Sequence, residues 1–231
     1  MVQERQICYI VGAMPLDAGC VPQPQQGDLV IAADGGYASL TRLGITSHLA
    51  VGDFDSLGWT PDHPALIQLP CEKDDTDMGY ALKLGLERGY RRFLLLGGVG
   101  GRLDHTVANL QLLGFLSKQG AMGVLYGGGQ ASAVLTNGTL SFPAGLSGYC
   151  SVFCRGGTAQ GVTIRGLKYS LDNAALSEDF PLGVSNEFTG VPASVSVADG
   201  SLLIVWNCDD PGKIDSFLRP ESTCSLPPNV V

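Results

Sequence analysis

The chain has 231 residues, of which 45% are hydrophobic and 16% charged, and its formal net charge is -8. That length supports one large or two small domains with a sizeable core, and the composition excludes disorder over most of it. The acidic balance, with a sequence pI near 4.7, argues against a nucleic-acid partner, and no apolar run reaches the ~20 residues that span a bilayer.

In chain order, Met1-Val2-Gln3-Glu4-Arg5-Gln6 is polar and lacks the basic-then-apolar pattern of a secretory leader. Seven scattered cysteines without a CxxC pair predict buried free thiols and a cytoplasmic protein. Cys150 and Cys154 fall on one face of a predicted strand. Apolar runs predict strands at residues 7–11, 29–33, 49–52, 66–69, 93–96 and 122–126. Between them, amphipathic spacing and terminal glycines predict helices at 37–43, 77–88 and 103–118. The second of these helices buries Met78, Ala81, Leu82 and Gly85; the third buries Leu103, Val107, Leu110 and Leu113. Residues 15–26 read as a loop, and Trp59, Pro61 and Pro64 sit in another.

Continuous apolar strands alternating with helices imply a parallel sheet covered on both faces. After Gly127-Gly128-Gly129 the texture changes to short β-rich runs punctuated by glycine. The expected fold is therefore α/β: a three-layer parallel-sheet domain over residues 1–128, then an antiparallel β-sandwich over 129–210. Residues 211–231, rich in Pro and Ser, are expected to form a mobile tail.

Three polar clusters fall where strands hand over to loops or helices. Gly52-Asp53-Phe54-Asp55-Ser56 follows the third strand. Two carboxylates at alternate positions of extended backbone share a side, and they repel unless a cation sits between them or one is protonated. A hard divalent ion such as Mg²⁺ suits them. Lys73-Asp74-Asp75-Thr76-Asp77 crowds the start of a helix. Capping there needs one or two such residues, so Asp74 and Asp75 are open to either reading. Gly97-Gly98-Val99-Gly100-Gly101-Arg102-Leu103-Asp104-His105 joins an apolar strand to a helix, where backbone amides and the helix dipole receive phosphate. No Gly-x-x-x-x-Gly-Lys-Ser/Thr loop and no spaced dinucleotide fingerprint is present. Asp34, Asp53, Asp55 and Asp104 all fall at the carboxyl edge of the predicted sheet, where such sheets bind ligands. Together these residues describe a site for a metal-bound polyphosphate. A structural reading stands beside each: a turn at Asp34-Gly35-Gly36, a local ion pair for Arg102 and Asp104, a core position for Trp206. His48 and His63 are expected to be structural or exposed.

Ala33-Asp34-Gly35-Gly36, Gly52-Asp53-Phe54-Asp55-Ser56, Lys73-Asp74-Asp75-Thr76-Asp77, Gly100-Gly101-Arg102-Leu103-Asp104-His105 and Gly183-Val184-Ser185-Asn186-Glu187-Phe188, in that order, resemble the thiamine pyrophosphokinase family. The resemblance spans residues 7–206. It implies transfer of the pyrophosphoryl group of ATP to the hydroxyl of thiamine with release of AMP, in a homodimer with thiamine between subunits. It implies Mg²⁺ on Asp53, Asp55 and Asp77. On the nucleotide side it implies Asp34, Lys73, Thr76, Arg102, His105 and Asn109, with Asp104 also catalytic. On the thiamine side it implies Ser185, Asn186 and, by a looser match, Trp206. The proton acceptor is either Asp77 or Asp104. Two other readings compete. Asp53-Phe54-Asp55-Ser56 is also similar to the start of haloacid-dehalogenase-type phosphatases, with Asp53 as nucleophile. A non-catalytic nucleotide or thiamine sensor would keep the pocket without needing the carboxylates.

Overall fold

The computed structural model describes residues 5–16, 23–210 and 212–219. Its first half is a parallel sheet. β1 (Cys8–Val11), β2 (Leu29–Ala33), β3 (Leu49–Gly52) and β4 (Leu66–Gln68) pair in sequence, while β5 (Arg92–Leu96) and β6 (Met122–Gly127) continue from the other side of β1. Strand order therefore reverses between β1 and β5, both running parallel.

Alternation along the strands assigns the two faces. Ile7, Tyr9 and Val11 join a core cluster with Leu40 of α1 (Gly36–Arg42) and Ile214 and Leu218 of α4 (Gly212–Leu218). Cys8 and Ile10 face the other way, onto Met78, Ala81 and Leu82 of α2 (Asp77–Glu87) and Leu113 and Leu116 of α3 (Leu103–Lys118). This is the expected three-layer arrangement. The buried face of α2 is as predicted. That of α3 holds only for its later positions: Leu113 is buried and Leu110 packs against the core, whereas Leu103 is 76% and Val107 48% exposed, and Asn109, Gly114 and Leu116 are buried as well. The first turn of α3 overhangs a cleft instead of the sheet.

The second half is antiparallel. A hairpin at Gly127–Gln130 connects β6 to β7 (Gln130–Phe142), so one hydrogen-bonded ladder runs through the predicted boundary between the halves. β7 pairs along the length of β11 (Ala193–Asn207). On its other side, β11 meets β9 (Thr158–Arg165) with residues 194–199 and β8 (Cys150–Cys154) with residues 202–206. A register shift between Val197 and Ser201 separates the two stretches and lets the sheet fold over as a sandwich. β10 (Leu171–Ser177) flanks β9. Isolated bridges Val152↔Gly183, Tyr149↔Glu187 and Leu167↔Phe188 tie the 183–188 segment across the leaves.

The expectation of a mobile tail over 211–231 is corrected for residues 212–219; residues 211 and 220–231 lie outside the described residues. α4 packs Ile214 and Leu218 into the core, and Asp215 accepts a hydrogen bond from the Tyr9 hydroxyl at 2.6 Å. Arg219 pairs with the buried carboxylate of Asp28. The sequence signal was weak because these anchors are long-range. His48 and His63 are structural, as expected: His48 Nδ1 accepts from the Val30 amide at 3.0 Å, and His63 Nδ1 accepts from the Ala65 amide at 3.1 Å.

Candidate active site

The reversal of strand order between β1 and β5 leaves a crevice beyond their carboxyl ends, because the connections leave in opposite directions. Two loops form its floor. The Gly12 amide donates to Leu96 O at 2.8 Å, and the Met14 amide to Gly97 O at 3.1 Å. Gly97 has φ +63, and a Cβ there would meet Gly12 O at 2.6 Å, so this junction admits glycine alone. Asp34, Asp53, Asp55, Lys73, Thr76, Asp77, Arg102, His105 and Asn109 line the resulting cleft of about 650 Å³. Ten predicted or family-implied site positions were scattered over the first half; nine of them, all but Asp104, meet here.

Asp53 and Asp55 do not come together through strand alternation. β3 ends at Gly52, and Phe54, buried at 2%, takes φ +60. Asp34 also has a left-handed φ, +49, and its amide donates a hydrogen bond to Val51 O at 2.8 Å. Non-glycine residues in this region carry strain of about 1–3 kcal/mol each, and here both adjoin the carboxylates. One oxygen each from Asp34, Asp53 and Asp55 lie within 4.8 Å of one another. Ser56 Oγ donates to Asp34 Oδ2, while Asp34 Oδ1 is buried with no hydrogen-bond partner among the described residues. An orphaned carboxylate oxygen beside two further carboxylates fits a hard, oxygen-seeking cation.

Asp77 is placed differently from the Asp53, Asp55 and Asp77 grouping that the sequence suggested. It occupies the first turn of α2 and faces Lys73, four residues earlier, at 3.0 Å. Lys73 Nζ also donates to Asp53 Oδ2 at 2.8 Å and to Pro70 O at 3.3 Å. The Lys73 hydrogen bond holds the Asp53 carboxyl below its usual range. Burial raises that of Asp77, ahead of the opposing pull of Lys73, and the charges of Asp53 and Asp34 add to the rise.

Thr76 is the N-cap of α2, its hydroxyl accepting from the Gly79 amide at 3.0 Å. Asp75 pairs with Lys83 at 2.5 Å on the surface. Arg102 and Asp104 form a two-pronged exposed pair, Nε to Oδ1 at 3.2 Å and Nη2 to Oδ2 at 2.6 Å. That pairing lowers the Asp104 carboxyl, and Asp104 stands outside the cleft lining. Asn109 is buried and donates from Nδ2 to Gly98 O at 2.8 Å, so it supports the glycine loop from below. Several contributors were not singled out in the sequence: Gly12, Ala13 and Met14, Cys71, and Thr106, whose hydroxyl accepts from the Gly100 amide at 3.2 Å; Ser56 lay in a motif but had no role assigned. The loop after β1 carries the same strand-end signal as the other clusters.

The remaining predicted residues lie in the sandwich. Ser185 has φ +58, and its amide donates to Ser151 Oγ at 3.0 Å. Asn186 is 3% exposed, and its amide is spent on backbone: Oδ1 accepts from Tyr169 N and Glu187 N, both at 2.9 Å, and Nδ2 donates to Tyr169 O at 2.7 Å. Trp206 sits in an aromatic cluster, 5.4 Å from the Phe142 ring and 5.5 Å from that of Phe217. It borders a separate cavity of about 670 Å³ that shares no lining residue with the carboxylate cleft.

Residues 24–124 match the thiamin pyrophosphokinase catalytic-domain family model, and residues 138–202 match the thiamin pyrophosphokinase vitamin B1 binding-domain model. The chain belongs to the thiamin pyrophosphokinase family. Members of this family are enzymes that make thiamine diphosphate, and this chain is one of them. A thiamine pyrophosphokinase of Bacillus subtilis (strain 168) is 29% identical over 200 residues, covering 78% of this chain and 88% of that protein. Thiamin pyrophosphokinase 1 of Caenorhabditis elegans is 28% identical over 156 residues, 62% of this chain and 63% of that one. The crystal structure of the Bacillus subtilis thiamine pyrophosphokinase superposes with a TM-score of 0.79 at 26% identity, covering 88% of this chain and 100% of that chain. Both halves thus answer to the thiamin pyrophosphokinase family in their expected order, and nothing supports a dehalogenase-type phosphatase with Asp53 as nucleophile.

Proposed function

We propose that the chain transfers the pyrophosphoryl group of ATP to the hydroxyl of thiamine, with Mg²⁺, and releases AMP. The observation that carries this reading is the convergence of Asp34, Asp53 and Asp55, one of them with an orphaned buried oxygen, beside a glycine loop at the sheet's switch point. Asp34, Asp53 and Asp55 would hold the Mg²⁺, with Asp77 next to them. A bound divalent ion there offsets the charge of the polyphosphate. The Gly97–Gly101 amides receive phosphate oxygens, and Arg102, at the mouth, steadies the leaving AMP.

The thiamine hydroxyl attacks the β-phosphorus in line, and its proton goes to a neighbouring carboxylate. Of the two candidates, Asp77 suits the task better. Its carboxyl is raised by burial and lines the cleft, whereas Asp104 is lowered by Arg102 and faces solvent. Ser185 and Asn186 shape the thiamine side. Exposed Tyr149, Tyr169, Leu182 and Val184 surround that motif, a concentration of apolar surface that suits a second subunit. Free Cys8, Cys71, Cys150, Cys154 and Cys208 suit a reducing cytoplasm. Among the described residues no helix is long and apolar enough to cross a membrane.

The test is AMP formation from ATP, with and without thiamine and Mg²⁺. AMP should appear in step with thiamine diphosphate only when all three are present. Inorganic phosphate release without thiamine would overturn the reading.

A further inference from the structure

Lys73 is expected to serve the polyphosphate, yet its ammonium already faces three protein oxygens before any phosphate arrives. An ammonium has three protons to donate. Around Lys73 Nζ stand three oxygens: Asp53 Oδ2 at 2.8 Å, Asp77 Oδ1 at 3.0 Å and Pro70 O at 3.3 Å. The lysine side chain is 15% exposed and those of Asp53 and Asp77 are 10% and 20% exposed, so solvent does little to compete for these contacts. Asp34, Asp53, Asp55, Asp75 and Asp77 all line the cleft, and Lys73 is in direct contact with two of them, Asp53 and Asp77.

We infer that Lys73 is an internal counter-ion that shields Asp53 and Asp77 from a bare divalent cation and yields them when the cation arrives together with polyphosphate. The inference rests on the proposed use of the cleft for a metal-bound triphosphate. The Asp77 contact is the first to be given up. It lies within ion-pair distance, but among the described residues Asp77 Oδ1 has no aligned hydrogen bond. A phosphate oxygen offers the ammonium a better-placed partner of the same sign. The swing frees a partly buried carboxylate at the moment a substrate needs it. The cleft thereby favours the metal–nucleotide complex over the metal alone.

The experiment uses Mn²⁺ as probe, with its binding followed by electron paramagnetic resonance on the full chain. In the absence of nucleotide, Lys73→Met should bind Mn²⁺ about tenfold more tightly than the wild type, a coupling of ordinary size between two ligands of one site. With α,β-methylene ATP present the order should reverse, because only the wild type moves its ammonium onto phosphate. Equal or weaker Mn²⁺ binding by Lys73→Met without nucleotide would overturn the inference. Should that variant unfold, ¹⁵N-labelled lysine in the wild type reports the same event. The Lys73 ammonium resonance should shift when Mg²⁺ and α,β-methylene ATP are added together and stay fixed with Mg²⁺ alone; no shift in either case overturns the inference. Neither readout involves thiamine or turnover, so an absence of AMP formation would sink the functional reading without deciding this one.

Discussion

The hydroxyl of Ser56 holds one oxygen of Asp34, and the other oxygen of that carboxylate is buried without a partner among the described residues. The pair joins the loops after β2 and β3 and aims Asp34 at Asp53 and Asp55. Loss of a charge from this group should be severe. Asp55→Asn and Asp34→Asn are expected to lower turnover by ~100-fold or more while leaving the melting temperature nearly unchanged. Ser56→Ala, which only loosens Asp34, should cost about tenfold and raise the Mg²⁺ concentration for half-maximal rate. Turnover near wild type in Asp55→Asn would contradict the metal role.

Asp77 and Asp104 are separable by one comparison. Asp77→Asn should reduce kcat by roughly 10²–10⁴-fold, the usual contribution of a general base. Asp104→Asn removes only an exposed partner of Arg102 and should change kcat by less than about tenfold, since exposed pairs contribute little. AMP release under saturating substrate distinguishes them, and a reversed ranking would move the base to Asp104.

α4 should behave as a structural clasp. The Asp28 side chain is 0% exposed and is compensated by Arg219 together with the Ile7 and Gln25 amides at 2.8 and 2.7 Å. Arg219→Ala leaves that charge buried with only the amides, at an expected loss of about 3 kcal/mol in urea unfolding. Stability equal to wild type would mean that α4 is not anchored through this residue.

The same clasp carries a pH signature. Burial raises the Asp215 carboxyl above its ordinary value near 3.8, outweighing the Tyr9 hydrogen bond and the Arg219 charge, with Asp28 adding to the rise. The folded chain therefore keeps the proton to higher pH than the unfolded one. Stability from this group is greatest below the unfolded value and declines as pH rises through the folded value. Asp215→Asn should lack this decline. Relative to wild type, its melting temperature should improve as the pH rises above the ordinary value near 3.8, as thermal scans at a series of pH values would record.

Asn186 tests what the sandwich motif does. Its amide satisfies the Tyr169 backbone on both sides. Asn186→Ala orphans those groups and should destabilise the chain by about 2–3 kcal/mol, because each buried unsatisfied group costs ~1–3 kcal/mol. If instead stability holds and only the KM for thiamine rises, the residue acts on substrate directly.

Much of this architecture was readable because its signals are local. β2 and α3 have the bounds that apolar runs and flanking glycines implied. The strand-end position of each polar cluster was likewise enough to bring most of the cleft together. What escaped depends on distant partners. Leu103 and Val107 of α3 were misassigned because the start of that helix borders the cleft, which Arg102, His105 and Asn109 line, and does not pack on the sheet. β7 and β11 are longer than the short β-rich runs expected there, because Asn137, at φ +46, and the register shift before Ser201 interrupt their alternation. β10 carries little strand signal because only Leu176 of its seven residues is buried and its pairing slips twice. The role of Lys73 as partner of two carboxylates, and the grouping of Asp34 with Asp53 and Asp55, follow from backbone turns that no spacing rule anticipates.

The unbroken ladder through the β6–β7 hairpin has a mechanical consequence. A nucleotide half and a vitamin half welded by shared strands cannot hinge about a linker, so jaw-like closure is denied to this enzyme. Whatever moves during a catalytic cycle must be loops and side chains at the rim. Severing the chain at that hairpin would yield two pieces with raw β edges, not two independent modules.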